Sequence, residues 1–444
     1  MTRNLLPAER KTFTLHMLYS FLEGIIAGII ILNEFVFVKS LLGSNYQLGV
    51  LFQFSVSVFL LLVFINEWIK RTRNKRKLLR VTAILTRVPF VLLFFFPRSA
   101  DQLGGDSIYH YIFLAIFLVY FLGNTIIMPS INLFLKTSYR HENFGKLYSY
   151  ATTVNKIVMM ITTFVYGWML DKDHYVFVYV FPVVAVLGIA AVFLLAAMPA
   201  KIHSQPAKKH SGMWNSVKDS TMGMVNILRN NRAFLDYEIG FMLYGFGFMS
   251  SVTVIVLFFE YGLGLNYNSI AFYKNAYNIL AIFLLPFFGK LMGKIDPRHF
   301  SIIPFSAMFL FLFFIMITEY FPVHFEFWKI TLYHTLLLYI IFHGIFAASM
   351  ALAWFIGSAY FCRPEEAGNY QSVHLVLTGF RALFAPLLGI VFYEQWGFTT
   401  AFLISMGCLF LAIIYMFISS QTVKVPYSPG VDGSTEVKDK SKNG

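Results

Sequence analysis

Cysteine is nearly missing from this chain: Cys362 and Cys408 are the only two, and both stand in or beside apolar segments. Two such cysteines supply neither a disulfide framework nor a metal site of thiolate spacing. Charge is scarce as well. Asp, Glu, Lys and Arg make up 13% of the 444 residues, against roughly 25% in ordinary soluble proteins. A surface that poor in charge cannot all face water, which excludes an ordinary soluble domain. Acids are the scarcer kind, 22 against 35 Lys and Arg, leaving a net charge of +13. No soluble basic region exists to carry nucleic acid, so no nucleic-acid partner is expected. A nucleotide-binding glycine loop, a clustered His/Cys ligand set and a nucleophile motif are also missing. Hence no cofactor, no metal and no enzymatic activity are expected. The first apolar run lacks a small-residue cleavage site and reads as a retained span.

Apolar sequence is what the chain has in plenty, at 58% of residues. A helix needs about 20 mostly apolar residues to cross a bilayer. Such segments run at 15–38, 46–66, 78–97, 108–134, 147–170, 174–198, 234–260, 269–291, 300–321, 330–358, 369–393 and 397–419. The expected fold is all-α integral membrane, with about twelve transmembrane helices in two pseudo-symmetric six-helix bundles. The connections are short except for Pro199 to Arg232. This divides the chain into an N-terminal bundle (1–198), a basic linker (199–232), a C-terminal bundle (233–420) and a tail (421–444). Apolar residues at 214, 217, 222, 225 and 228 of the linker suit a helix lying along the headgroups; a solvated connector is the alternative. The tail, rich in Pro, Gly, Ser and Lys, is expected to be disordered.

Orientation comes from the cations. Seven of the thirteen residues from Trp68 to Arg80 are Lys or Arg and none is acidic. Positive charge in short loops beside spans is retained on the cytoplasmic side, where it also meets anionic headgroups. With that loop inside, only Lys39, Arg98, Lys172, Lys274 and Lys329 fall in outer connections or outer span ends. Arg87, Lys156 and Arg381 fall within spans, and all remaining cations lie inside. The reading is a multi-pass protein of the plasma membrane (a bacterial inner membrane) with both termini cytoplasmic.

The halves echo each other. Gly43-Ser-Asn45-Tyr46 returns as Gly264-Leu-Asn266-Tyr267. The same offset of 221 carries Trp68 to Gly289, Arg73 to Lys294 and Lys77 to Arg298. An offset of 223 carries Gly145 to Gly368 and Asp171 to Glu394. Matches at equivalent loops indicate a duplicated six-span unit, and parallel repeats with a midplane solute site are one transporter architecture.

This layout resembles the major facilitator superfamily over residues 13 to 420. The family signature between spans two and three reads Gly-x-x-x-Asp-Arg-x-Gly-Arg-Arg. Arg73, Arg76 and Lys77 match its basic positions, while Trp68 replaces the glycine and Thr72 the aspartate. The second copy keeps Gly289, Lys294 and Arg298, with Gly293 at the acidic position. The resemblance implies that these six, Arg73, Arg76, Lys77, Gly289, Lys294 and Arg298, belong to a cytoplasmic gate, without the family's aspartate-centred latch. Arg381 to Gly389 in span eleven and Gly167 to Asp171 closing span five are further family-like pieces. The glycine- and proline-rich motif of the family's proton-antiporting drug exporters is missing from 152–166.

Ionisable groups at membrane depth are costly and tend to line cavities or to pair. Glu23 lies mid-span in helix one, which the resemblance makes cavity-lining, and is the proton-carrying candidate; a structural partner for a cation is the alternative. Lys156 and Arg381 flank the implied cavity, one from each half, and can bind an anionic group, the arginine as a planar fork and the lysine as a point charge. An interhelical pair or a carbonyl clamp is the alternative for each. Arg87, on an implied outer helix, reads as a structural ion pair. Asn124, with Pro129, and His343, with Gly344, mark polar segments of spans four and ten and complete the substrate-binding candidates.

The function expected is secondary-active uptake of a small organic solute, leaning towards an anion, coupled to protons and carried out by a monomer among membrane lipids. An exporter of amphipathic compounds and a non-transporting membrane sensor or assembly partner are the alternatives.

Overall fold

A computed structural model describes residues 5–72, 74–139, 141–199, 213–363 and 366–423. Among these, ten stretches are long and apolar enough to cross a membrane. The spans are α1 (Pro7–Ser40), α3 (Lys75–Phe95), α4 (Ile108–Ser138), α5 (His141–Lys172), α6 (Phe177–Ala196), α7 (Arg232–Gly262), α8 (Tyr267–Met292), α9 (Pro297–Tyr320) and α10 (His334–Phe361). The tenth stretch, Ala367–Thr422, is two helices that turn at Gly397, where φ is 79°; these are α11 (367–396) and α12 (398–422). A shorter apolar helix, Asn45–Leu61, continues through Leu62–Arg71 as α2. Twelve spans result. Alternation puts Pro7 and Thr422 on one face of the bundle, the terminal face.

Local chemistry starts the helices where the sequence provides a cap. Ser44 and Gln47 form a reciprocal capping box at the start of α2, which satisfies two orphan backbone donors. Asn266 accepts from the Ser269 amide at 2.8 Å to start α8. Asn74 and Asp296 cap α3 and α9 through the amides of Lys77 and Arg298.

Glycine sets the closest packing. A Cβ at Gly24 would come 2.7 Å from the Asn155 carbonyl, and one at Gly28 2.6 Å from that of Met159. This small-xxx-small edge lets α1 and α5 approach backbone to backbone, where dispersion and polar contacts act without a hydrophobic drive. Leu85, Phe95, Val186, Phe283 and Phe355 point outward, each more than 60% exposed.

One element goes beyond the sequence reading. A β-hairpin pairs β1 (His324–Phe327) antiparallel with β2 (Ile330–Tyr333) in the segment read as the start of span ten. Its two-residue turn puts Trp328 and Lys329 at φ 49° and 62°. The linker holds a helix at Met213–Asn230, covering the amphipathic stretch, with Trp214 and Val225 exposed and Val217 buried. Residues 200–212 of the linker and 424–444 of the tail lie outside the described residues.

The duplication is visible in the backbone, one residue out of the sequence register. Each half has one π-helical turn at the end of its first span, Val36–Ser40 and Phe258–Gly262. After it the Gly43 amide reaches the Phe37 carbonyl at 2.9 Å, and the Leu265 amide reaches that of Phe259 at 3.0 Å. Leu42 and Gly264 follow with φ of 58° and 57°. These pairs, and the caps Asn74 and Asp296, share an offset of 222 rather than 221. Residue identity misled by one because the repeat conserves a left-handed turn, and one copy builds it with leucine.

Candidate functional site

The N-terminal bundle encloses a polar cluster on α1, α3 and α4. Arg87 is 3% exposed. Its stem lies against α6, where a Cβ at Gly188 would come 2.8 Å from Arg87 Cγ. Its guanidinium donates to Thr86 Oγ1 at 2.7 Å and to Asn124 Oδ1 at 3.2 Å, over the Tyr120 ring at 4.5 Å. Glycine 123 makes room for this, since a Cβ there would come 2.8 Å from Arg87 Nη1. Glu23 is half-buried and lies within Coulombic reach of Arg87, as do Tyr19 and Tyr120. Among the described residues the Glu23 carboxylate makes neither a hydrogen bond nor a close ion pair. The result is a carboxylate and a guanidinium held near each other, with the carboxylate still able to exchange its partner.

Lys156 lies on α5, which packs against α1. The neighbouring Asn155 donates to the Ser20 carbonyl at 3.0 Å. Lys156 itself is half-buried and has no anionic or hydrogen-bonding partner among the described residues.

In the C-terminal bundle Arg381 is 2% exposed and its Nη1 donates to the Phe241 carbonyl of α7. The guanidinium lies over the Tyr244 ring at 5.9 Å, and its Nε has no hydrogen-bond partner. Any Cβ at Gly245 would run into this guanidinium. Nearby, His374 Nδ1 meets the Glu238 carboxylate at 3.0 Å with both side chains buried. His343 bonds the Tyr339 hydroxyl at 2.8 Å and stacks on Tyr277 at 3.6 Å between ring centres. Sequence reading therefore found Glu23, Arg87 and Asn124, which the fold brings together. It missed Tyr19, Thr86 and Tyr120, whose polar atoms carry no signal inside apolar helices, and the buried Glu238–His374 pair.

The two faces of the bundle differ. On the face away from the termini the halves are joined by ion pairs, Lys39–Glu260 at 2.9 Å and Lys274–Glu34 at 2.8 Å. Asp171 at the end of α5 accepts from the Tyr267 and Asn268 amides at 2.7 and 2.9 Å, capping α8 of the other half. Glu394 at the end of α11 accepts in turn from Asn45 at the start of α2. Ser40 and Tyr267 add a hydroxyl contact at 2.6 Å.

On the terminal face Arg76 and Arg298 each make bonds within their own half. Arg76 donates to the Met198 carbonyl at 3.1 Å. Arg298, fully buried, pairs with Asp296 at 2.8 Å and donates to the Ser419 and Val423 carbonyls. Arg76 and Arg298 are thus the equivalent pair, each tying the start of a third span to the end of a sixth. Asp236 shares Ser419 with this network at 2.8 Å. Carboxylates therefore stand beside the second basic loop even though Gly293 holds the signature's acidic position. Lys77 and Lys294 are exposed, and Gly289 has open space where a Cβ would point. Arg73 lies outside the described residues.

Such an arrangement, a split bundle sealed at one face around buried charges, matches known proteins at the level of family. The Major Facilitator Superfamily matches residues 12–328. The chain belongs to this superfamily. It is a multi-pass membrane transporter of the secondary class, not an enzyme. Among solved structures it is similar to the nucleoside transporter NupG at TM-score 0.64 and 12% identity, over 94% of this chain and 100% of that one. It is similar to the inward open xylose transporter XylE from E. coli at TM-score 0.64 and 12% identity, over 94% and 96%. A structure from the proton dependent oligopeptide transporters gives 0.62 and 12%, over 93% and 99%. These likenesses carry the fold alone. No curated protein matches this chain.

Proposed function

We propose that this superfamily member is a proton-coupled importer of a small organic anion, with Glu23 carrying the proton and with Lys156 and Arg381 contacting the solute. The single observation that carries the reading is the half-buried Glu23 carboxylate, which has no hydrogen bond of its own while Arg87 stands within its field. A carboxylate with no fixed partner among the described residues is free to take up and release a proton as the site fills and empties. Lys156 and the Arg381 Nε, which have no acceptor among the described residues, are the donors left for an anionic solute. Asn124, beside Arg87, and His343, stacked on Tyr277, complete the solute contacts of this reading.

The positive-inside bias makes the terminal face cytoplasmic. The sealed face is then the outer one, and the protein stands in an inward-facing state. Rocking the halves about the midplane exchanges the outer contacts for a closed gate built around the basic loops.

The test is uptake into proteoliposomes with an imposed pH gradient, using radiolabelled organic acids. Glu23→Gln is expected to abolish accumulation against the solute gradient while leaving solute exchange intact. Uphill accumulation by Glu23→Gln at the wild-type rate would remove Glu23 from the coupling step.

A further inference from the structure

On the outer surface of the N-terminal bundle, α2, α3 and α4 enclose a groove of about 430 Å³, unrelated to the solute route. Its walls are Leu78, Val81, Leu85, Leu122 and Ile126, and its floor includes Thr86 and Gly123. Val81 and Leu85 are 44% and 65% exposed, so the groove opens away from the bundle. In a membrane protein that direction is lipid.

The groove is not uniformly apolar along its length. At the terminal face it is closed by Trp68, Thr72, Asn74 and Lys77. These belong to the run 68–80, which holds seven cations and no acid. An apolar trough capped at the headgroup level by hydroxyl, amide and ammonium donors is complementary to one kind of molecule. We propose that the groove binds a single anionic phospholipid, with an acyl chain along Val81 and Leu85 and the phosphate at Lys77 and Asn74. Trp68, 44% exposed, takes the interfacial position that amphipathic indoles favour. A neutral headgroup fits the walls equally well but leaves the basic rim uncompensated, so charge selects the lipid.

The groove also has a route to the interior. Thr86 Oγ1, in its floor, is the oxygen that receives Arg87 Nη1 at 2.7 Å. A Cβ on Gly123, also in the floor, would come 2.6 Å from that same oxygen. The floor of the groove is thus part of the seat of Arg87. Occupancy of the groove therefore steadies the polar cluster through Thr86.

The test is native mass spectrometry of the purified full chain, titrated with phosphatidylglycerol or phosphatidylcholine of matched chains. One phosphatidylglycerol is expected to be retained in preference to phosphatidylcholine by about fivefold, the size of one lysine contact near the surface. Lys77→Gln, at an exposed rim position, is expected to erase that preference. Leu85→Trp, which fills the trough from its exposed edge, is expected to remove retention of both lipids; a melting curve of each variant verifies folding. Equal retention of the two lipids by the wild type, or unchanged phosphatidylglycerol retention in both variants, overturns the proposal.

Discussion

The N-terminal and C-terminal halves share a backbone and divide the chemistry. Counted back from the π-helical turns, Glu23 and Gly245 are equivalent, each thirteen residues before the turn begins. In the first half the position presents a carboxylate near Arg87. In the second it presents no side chain, and the Arg381 guanidinium occupies the room. At this position the first half thus sets an acid near a base, and the second a base held by a backbone carbonyl. The acid of the second half, Glu238, pairs instead with His374. Duplication preserved what backbone geometry requires, and the interior was free to diverge.

The largest test of this division is Gly245→Ala. Its methyl displaces the guanidinium, and overpacking of this kind costs about 1–3 kcal/mol. We expect a lower melting temperature and transport reduced by at least tenfold, while the reciprocal Glu23→Ala leaves stability close to wild type. Normal transport by Gly245→Ala would show that Arg381 works from somewhere else.

Next in size are the two carboxylates that cross between the halves at the sealed face. Asp171 receives two amides of α8, and Glu394 receives the Asn45 side chain of α2. A charged cap at a helix N-terminus contributes about 1 kcal/mol. Asp171→Asn and Glu394→Gln should each raise the reactivity of a cysteine at position 274 on that face, and Asp171→Asn should do so more because it loses two amide partners. The comparison breaks if both variants leave that reactivity unchanged.

The most local effect concerns the left-handed turn, which the first half builds with Leu42 and the second with Gly264. For a residue with a Cβ this conformation costs about 1–2 kcal/mol. Leu42→Gly is expected to raise the melting temperature slightly and Gly264→Ala to lower it by a similar amount. Shifts of the same sign in both would separate the two turns.

Much of the fold was legible because lipid imposes a coarse rule. Each span needs its length of apolar residues, and the twelve expected segments match the twelve helices to within a turn or two at most edges. The linker helix around Trp214 was legible from its spacing. The hairpin at 324–333 was not: Ile330 to Tyr333 run into the apolar stretch of span ten, while His324, Glu326 and Lys329 fall in an outer connection. Glu23 stood out because a lone acid among apolar residues is conspicuous. Arg87 stood out too, and its helix is amphipathic, with Leu79, Thr82, Ala83 and Thr86 buried on the same face, but spacing alone did not name its partner. The structure turns it towards Asn124, where Gly123 and Gly188 leave space.

Composition and periodicity by themselves determined that this chain is a bundle of membrane helices, how many, and which few residues carry charge within them. Those properties are local, since the cost of exposing a peptide group or a charge to hydrocarbon is levied segment by segment. Only the tertiary structure decided the partners: which face is sealed, that Arg76 rather than Lys77 corresponds to Arg298, and that Glu23 shares its surroundings with Arg87. Such pairings join residues tens to hundreds of positions apart, and the helix packing that brings them together depends on shape and on missing side chains.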